Sequence, residues 1–143
     1  MARVWVAATS DGELFSEYRC LLDGNVIDGA EIGLEGPDFM KYPLCWNSLD
    51  GGNVAEGNHT LQVNFRSRAG GNMWVDVIEY RPSSEANVAN EWSRVDALEE
   101  QIVYSSGWEE FRSHDPFNEP DIKFTSLNGA SLTYNFTGKL SVS

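Results

Sequence analysis

Hydrophobic and polar residues alternate at period two over most of this chain. The clearest stretch runs from Gly57 to Tyr80, GNHTLQVNFRSRAGGNMWVDVIEY. Leu61, Val63 and Phe65 alternate with Thr60, Gln62, Asn64 and Arg66. Trp74, Asp76, Ile78 and Tyr80 then alternate with Met73, Val75, Val77 and Glu79. Successive side chains of a strand point to opposite faces, so the pattern predicts two half-buried β-strands. Between them lie Gly70 and Gly71, which accept positive φ, and the two strands read as a hairpin. Asp76 interrupts an apolar segment, where an unpaired carboxylate is costly.

The same reading predicts strands at Arg3 to Thr9, Phe15 to Leu22, Leu44 to Trp46, Gln101 to Ser105, Ile122 to Thr125, Ala130 to Phe136 and Lys139 to Ser143. Residues 25–43 read as a long polar region in which Pro37 and Pro43 bracket DFMKY. Residues 47–57 form a loop, 81–92 a linker by composition, and 113–121 an irregular loop broken by two prolines. The stretch after the linker offers one marginal helical turn. Many short strands and no convincing helix predict an all-β sandwich or barrel.

At 143 residues the expectation is one domain with a real core. The chain holds 22 acidic and 10 basic residues, a net charge of −12. Nucleic acid is therefore disfavoured as a partner, because its binding rests on Lys and Arg neutralising phosphates. No apolar run approaches the ~20 residues of a membrane helix, and insertion into a membrane is not expected. The start of the chain, MARVWVAATSDGELF, lacks the apolar core of a signal peptide. Cytoplasmic synthesis is expected, with non-classical export or a mature extracellular fragment as the other routes. On that route the Asn-x-Thr sequons at Asn58 and Asn135 stay unmodified. Cys20 and Cys45 cannot build a four-thiolate zinc site, and composition leaves a disulfide and two buried thiols equally open.

The segments HTLQVNF, WVDVIEY, IVYSSGW and GASLTYNFTG resemble the β-jelly-roll repeats of basidiomycete fungi. That family comprises galactose-binding-like domains of membrane-anchored extracellular proteins and of oyster-mushroom-type lectins. The resemblance implies a galactose-binding-like jelly-roll sandwich and a lectin for terminal galactose or N-acetylgalactosamine. CLLDG followed by PLCW is similar to the paired-cysteine version of these repeats and implies a Cys20–Cys45 disulfide. In the family the YSSGW and NFTG segments come first; here they come last. The chain therefore reads as one circularly permuted jelly roll over 1–143, with half-repeats 1–80 and 93–143 joined by linker 81–92. Exchange of halves between two chains is the rival topology.

No G-x-S-x-G, H-E-x-x-H, phosphate-loop or dinucleotide fingerprint occurs, and His59 and His114 have no sequence-evident partner, so catalysis is not expected. Sugar binding needs an apolar ring face and planar polar groups. One candidate is the loop with Arg66, Arg68, Gly71 and Asn72, read otherwise as an ordinary polar turn. A second is Trp46, Asn47, Asp50 and Asn53, with Trp46 either stacking on sugar or packed in the core. The third is the loop at 114–121, where Asp115, Asn118 and Asp121 could hold calcium or Phe117 could stack on a sugar, against a solvated acidic loop. The resemblance implies a structural calcium at Asp76; the residues equally allow a buried salt bridge to a strand neighbour such as Arg3. Trp5, Trp74, Trp92 and Trp108 read as core. Glycans or glycoproteins are the expected partners, and agglutination would require an oligomer.

Overall fold

The computed structural model describes residues 3–8, 15–29, 32–33, 40–46, 54–67, 73–80, 93–112 and 121–140. All regular structure among them is β. In chain order the strands are β1 Arg3–Ala8, β2 Phe15–Leu22, β3 Asn25–Gly29, β4 Ile32–Gly33, β5 Met40–Trp46 and β6 Val54–Ser67. They continue with β7 Met73–Val75, β8 Val77–Tyr80, β9 Ser93–Asp96, β10 Ile102–Tyr104, β11 Glu109–Phe111, β12 Ile122–Thr125 and β13 Ser131–Leu140. Every pairing is antiparallel. One sheet runs β10-β13-β6-β2-β3-β5-β1-β8-β9 with β4 beside β2, and a three-stranded sheet runs β11-β12-β7.

The large sheet folds over at β3. Ile27 pairs with Cys20 of β2, while two residues on Gly29 pairs with Cys45 of β5. In a flat sheet strands two apart lie about 10 Å from each other. Here the Cα atoms of Cys20 and Cys45 are 6.0 Å apart and a disulfide joins them. The pairing implied by the family resemblance is thus present, and it staples the corner between two layers. The core fills the space between them, with Leu61, Val63 and Phe65 of β6, Leu132, Tyr134 and Phe136 of β13, and Met73, Val75 and Ile78 from the strands opposite.

The central stretch departs from the hairpin expected of it. β6 pairs with β2 on one edge and β13 on the other, whereas β7 pairs with β12 and β8 with β1 and β9. With both edges of β6 occupied, the chain after it crosses to other strands instead of returning alongside. The expected alternation over 73–80 also slips at Asp76. Met73, Val75 and Ile78 all enter the core, so Asp76 is the extra residue between β7 and β8.

Residues 25–29, read as polar loop, form β3. Asp23 and Gly24 have φ of 51° and 78°, the two positive angles of a two-residue hairpin turn. β5 runs through Pro43, which lies opposite Trp5 where the register with β1 shifts. A bulge tolerates the missing N–H there. β6 extends back to Val54 through residues read as loop, and the segment at 139–140 continues β13 instead of forming a separate strand. After β9, residues 98–101 make turns and no helix. The linker at 81–92 lies outside the described residues, but its flanks do not: Tyr80 pairs with Ser93, so β8 and β9 are antiparallel neighbours. Strands from 93–140 pair with strands from 3–80 in both sheets, so the two halves build one body.

Candidate functional site

The three-stranded sheet shows its two faces unequally. Met73, Val75 and Thr125 point inward and are buried. On the outward face, register places Trp74, Phe124 and Glu109 in one row and Ile122 beside Phe111 in the next. The Trp74 and Phe124 rings stack with centroids 4.8 Å apart and an interplanar angle of 27°. Phe111 is 43% exposed at the edge strand. A lone exposed aromatic is ordinary; here it lies one row from a partly exposed stacked pair, with Ile122 buried beside it, so the apolar surface is shared by three rings.

Of the two glutamates of β11, one stands on that face. Glu109 and Glu110 are consecutive on β11 and so project to opposite sides. Glu109 stands in the aromatic row, while Glu110 receives Lys123 Nζ at 2.7 Å and Arg112 Nη2 at 3.2 Å. The bond from Lys123 and its charge hold the Glu110 carboxyl below its ordinary range, with Arg112 adding to the effect. The Lys123 ammonium also lies 5.4 Å from the Tyr104 ring centroid. Tyr104 donates to the Ala97 carbonyl at 2.8 Å, and burial pushes its phenol well above the ordinary value.

The YSSGW segment buttresses this sheet. Ser105 N–H and Trp108 Nε1–H both donate to the Ser131 carbonyl, at 2.9 and 3.2 Å. Thr125 Oγ1 donates to the Gly107 carbonyl at 2.7 Å. Gly107 has φ of +87°, and a Cβ there would come within 2.7 Å of Leu127 Cδ2, so any other residue strains the backbone and must displace the exposed Leu127 side chain.

Of the sugar-site residues expected from sequence, the structure describes Arg66 and Trp46. Arg66 is exposed on the outward side of β6, opposite Glu17, whereas Trp46 ends β5, opposite Asp28. Arg68, Gly71, Asn72, Asn47, Asp50 and Asn53 lie outside the described residues, as do Asp115, Phe117 and Asn118. Trp74, expected in the core, instead supplies the outward ring. Both faces of β7 carry apolar residues, and alternation alone cannot say which turns inward. Trp108 does pack against the core, as expected.

Asp76 is 1% exposed, and Arg94 of β9 brings Nη2 to 3.8 Å from its Oδ1. Arg94 is thus a strand neighbour of the kind that sequence had offered as a salt-bridge partner for Asp76. Asp121 is exposed and precedes β12 at the end of the ladder nearest Asp76. A calcium ion at Asp76 would share its carboxylate with a guanidinium, which fits a hard dication poorly. Among the described residues no group of three or more His, Cys, Asp or Glu side chains could hold a metal.

No family model matches the chain, and no solved structure matches it. Among curated proteins it is similar to one named A type blood alpha-D-galactosamine galactosaminidase, from Flavonifractor plautii, at 33% identity over 126 residues. That match takes in 87% of this chain and 11% of the relative.

Proposed function

We propose that this chain is a non-catalytic carbohydrate-binding domain whose ligands are galactose-type sugars, including N-acetylgalactosamine and galactosamine. The observation that carries the reading is the outward aromatic face of Trp74, Phe124 and Phe111 with Glu109 in its row. Such a face takes the C–H side of a pyranose, and a carboxylate at its border accepts from hydroxyls. The similarity to a protein named for galactosamine chemistry supports a ligand of that class. Because the match spans 11% of that protein, it also favours the second reading, an accessory binding module of a glycoside hydrolase, over a free-standing lectin. The resemblance to the oyster-mushroom-type repeats supports the jelly-roll form of the domain and the absence of catalysis. Agglutination by an oligomer belongs to the lectin version alone.

Titration calorimetry with galactose, N-acetylgalactosamine, galactosamine and glucose, with and without chelator, tests the reading. Phe111→Ala is expected to weaken binding of the galactose-type sugars at least fivefold with an unchanged Tm, since Phe111 is already half in water. Wild-type protein that binds none of these sugars, or a variant that binds as wild type does, would overturn it.

A further inference from the structure

The outward face of β6 and β13 differs from the rest of this acidic molecule. From Asn58 to Asn64 and from Ser131 to Thr137, every outward position is an amide or a hydroxyl. The chain carries 22 acidic and 10 basic residues, yet none stands among these positions. Charge stands at its borders: Asp23 beside Thr60, Arg19 of β2 opposite Asn64, Arg66 opposite Glu17 further along β6, and Glu56 and Lys139 at the other ends of the two strands. Asparagine is disfavoured inside strands, and local choices that oppose the fold mark positions with another task. Asn58, Asn64 and Asn135 are three such choices on the two longest strands.

These side chains are fixed. The two Asn-x-Thr tripeptides lie antiparallel, Asn58 opposite Thr137 and Thr60 opposite Asn135. Thr60 Oγ1 donates to Asn135 Oδ1 at 2.8 Å, and Thr137 Oγ1 donates to Asn58 Oδ1 at 2.7 Å. Gln62 Nε2 donates to Asn64 Oδ1 at 3.2 Å. Each carboxamide oxygen is thereby held, and each Nδ2 group keeps its donors for a ligand. Val103 and Val26, 63% and 50% exposed, flank the face in the row that runs through Thr133, Gln62 and Leu21.

We propose that this face binds an extended, uncharged polysaccharide chain. Donors oriented before binding recognise ether and hydroxyl oxygens without an ordering cost. An uncharged surface on a protein of net charge −12 suits a neutral polymer and disfavours an acidic one. Four outward positions along one strand cover about 20 Å, the length of an oligosaccharide and not of one sugar. The face shares no residue with the aromatic site, so the two proposals stand or fall separately.

Affinity electrophoresis of the full chain through gels containing galactan, xyloglucan or polygalacturonate tests it. The neutral polymers are expected to retard the protein and the acidic one not to. Asn64→Ala combined with Asn135→Ala is expected to weaken retardation at least tenfold with an unchanged Tm. Gln62→Glu, which adds charge without adding size, is expected to do the same. Glu99→Ala, in the exposed turn after β9 and outside both faces, is expected to keep it. Failure of both neutral polymers to retard the protein, stronger retardation by polygalacturonate, or unchanged retardation of the asparagine variant would overturn the proposal. Loss of monosaccharide binding with retardation intact would sink only the aromatic site.

Discussion

Asp23 ties the β2–β3 turn to β6 through one carboxylate. Its Oδ1 accepts from Thr60 N–H at 2.8 Å, and its Oδ2 lies 2.7 Å from His59 Nδ1. His59 Nε2 in turn lies 2.7 Å from the Ala55 carbonyl. Both ring nitrogens thus lie against oxygen partners. Partial burial pushes the Asp23 carboxyl up, but the His59 ring, the Thr60 N–H and the nearby charge outweigh it and hold it below 3.8. With its folded value depressed, Asp23 adds stability above that pH and loses it as pH falls through the folded value. Asn also tolerates the positive φ at this position, so Asp23→Asn isolates the charge. It is expected to cost about 1 kcal/mol at neutral pH and to flatten the fall in Tm between pH 5 and 3. A second expectation concerns Arg94, which bridges buried Asp76 and exposed Asp96. Removing it in Arg94→Ala should cost about 1–2 kcal/mol by denaturant titration, because a buried carboxylate loses a cation. Asp96→Ala should cost less than about 0.5 kcal/mol.

Among elements, the corner at β3 and the turn at Gly107 carry the most testable geometry. The Cys20–Cys45 disulfide spans 25 residues and holds two layers together. Replacing both cysteines by alanine is expected to lower stability by about 2–4 kcal/mol in urea titrations, with the far-ultraviolet β signal retained at room temperature. Gly107→Ala forces a side chain into Leu127 at a backbone angle that alanine resists. A loss of about 1–3 kcal/mol is expected, and hydrogen exchange should quicken first in β11 and β12, which the turn supports. A Gly107→Ala protein as stable as wild type would show that this turn can relax without cost. The strands themselves follow from alternation: β2, β6, β12 and β13 stand where the pattern of residues puts them. β3 was not legible that way, because Ile27 is its one side chain in the core cluster, the adjacent Val26 faces outward, and Asn25 and Asp28 around them are polar. Its signal is the Asp23-Gly24 pair, which reverses the chain between β2 and β3.

At the scale of the whole molecule, 81–92 connects strands that lie side by side, since Tyr80 pairs with Ser93. A permutant opened between Ser84 and Asn87, with Ser143 joined to Ala2 by a short Gly/Ser bridge, is expected to fold as a monomer and keep sugar binding. A dimer with exchanged halves, detected by light scattering, would instead support the swapped topology. What the residue order determined by itself is the β class, most strand positions and the inward set of β6 and β13, because period two reports which side chains avoid water. Which strands pair was a tertiary decision. β6 and β7 are neighbours in sequence, with a glycine-rich loop between them, yet β2 and β13 already occupy both edges of β6. Which face of β7 turns inward was decided there too. Met73 and Val75 compete with Trp74 for the core, and alternation gives two faces without ranking them. The packing opposite β6 and β13 admits Met73 and Val75, and that choice leaves the indole outside, stacked on Phe124.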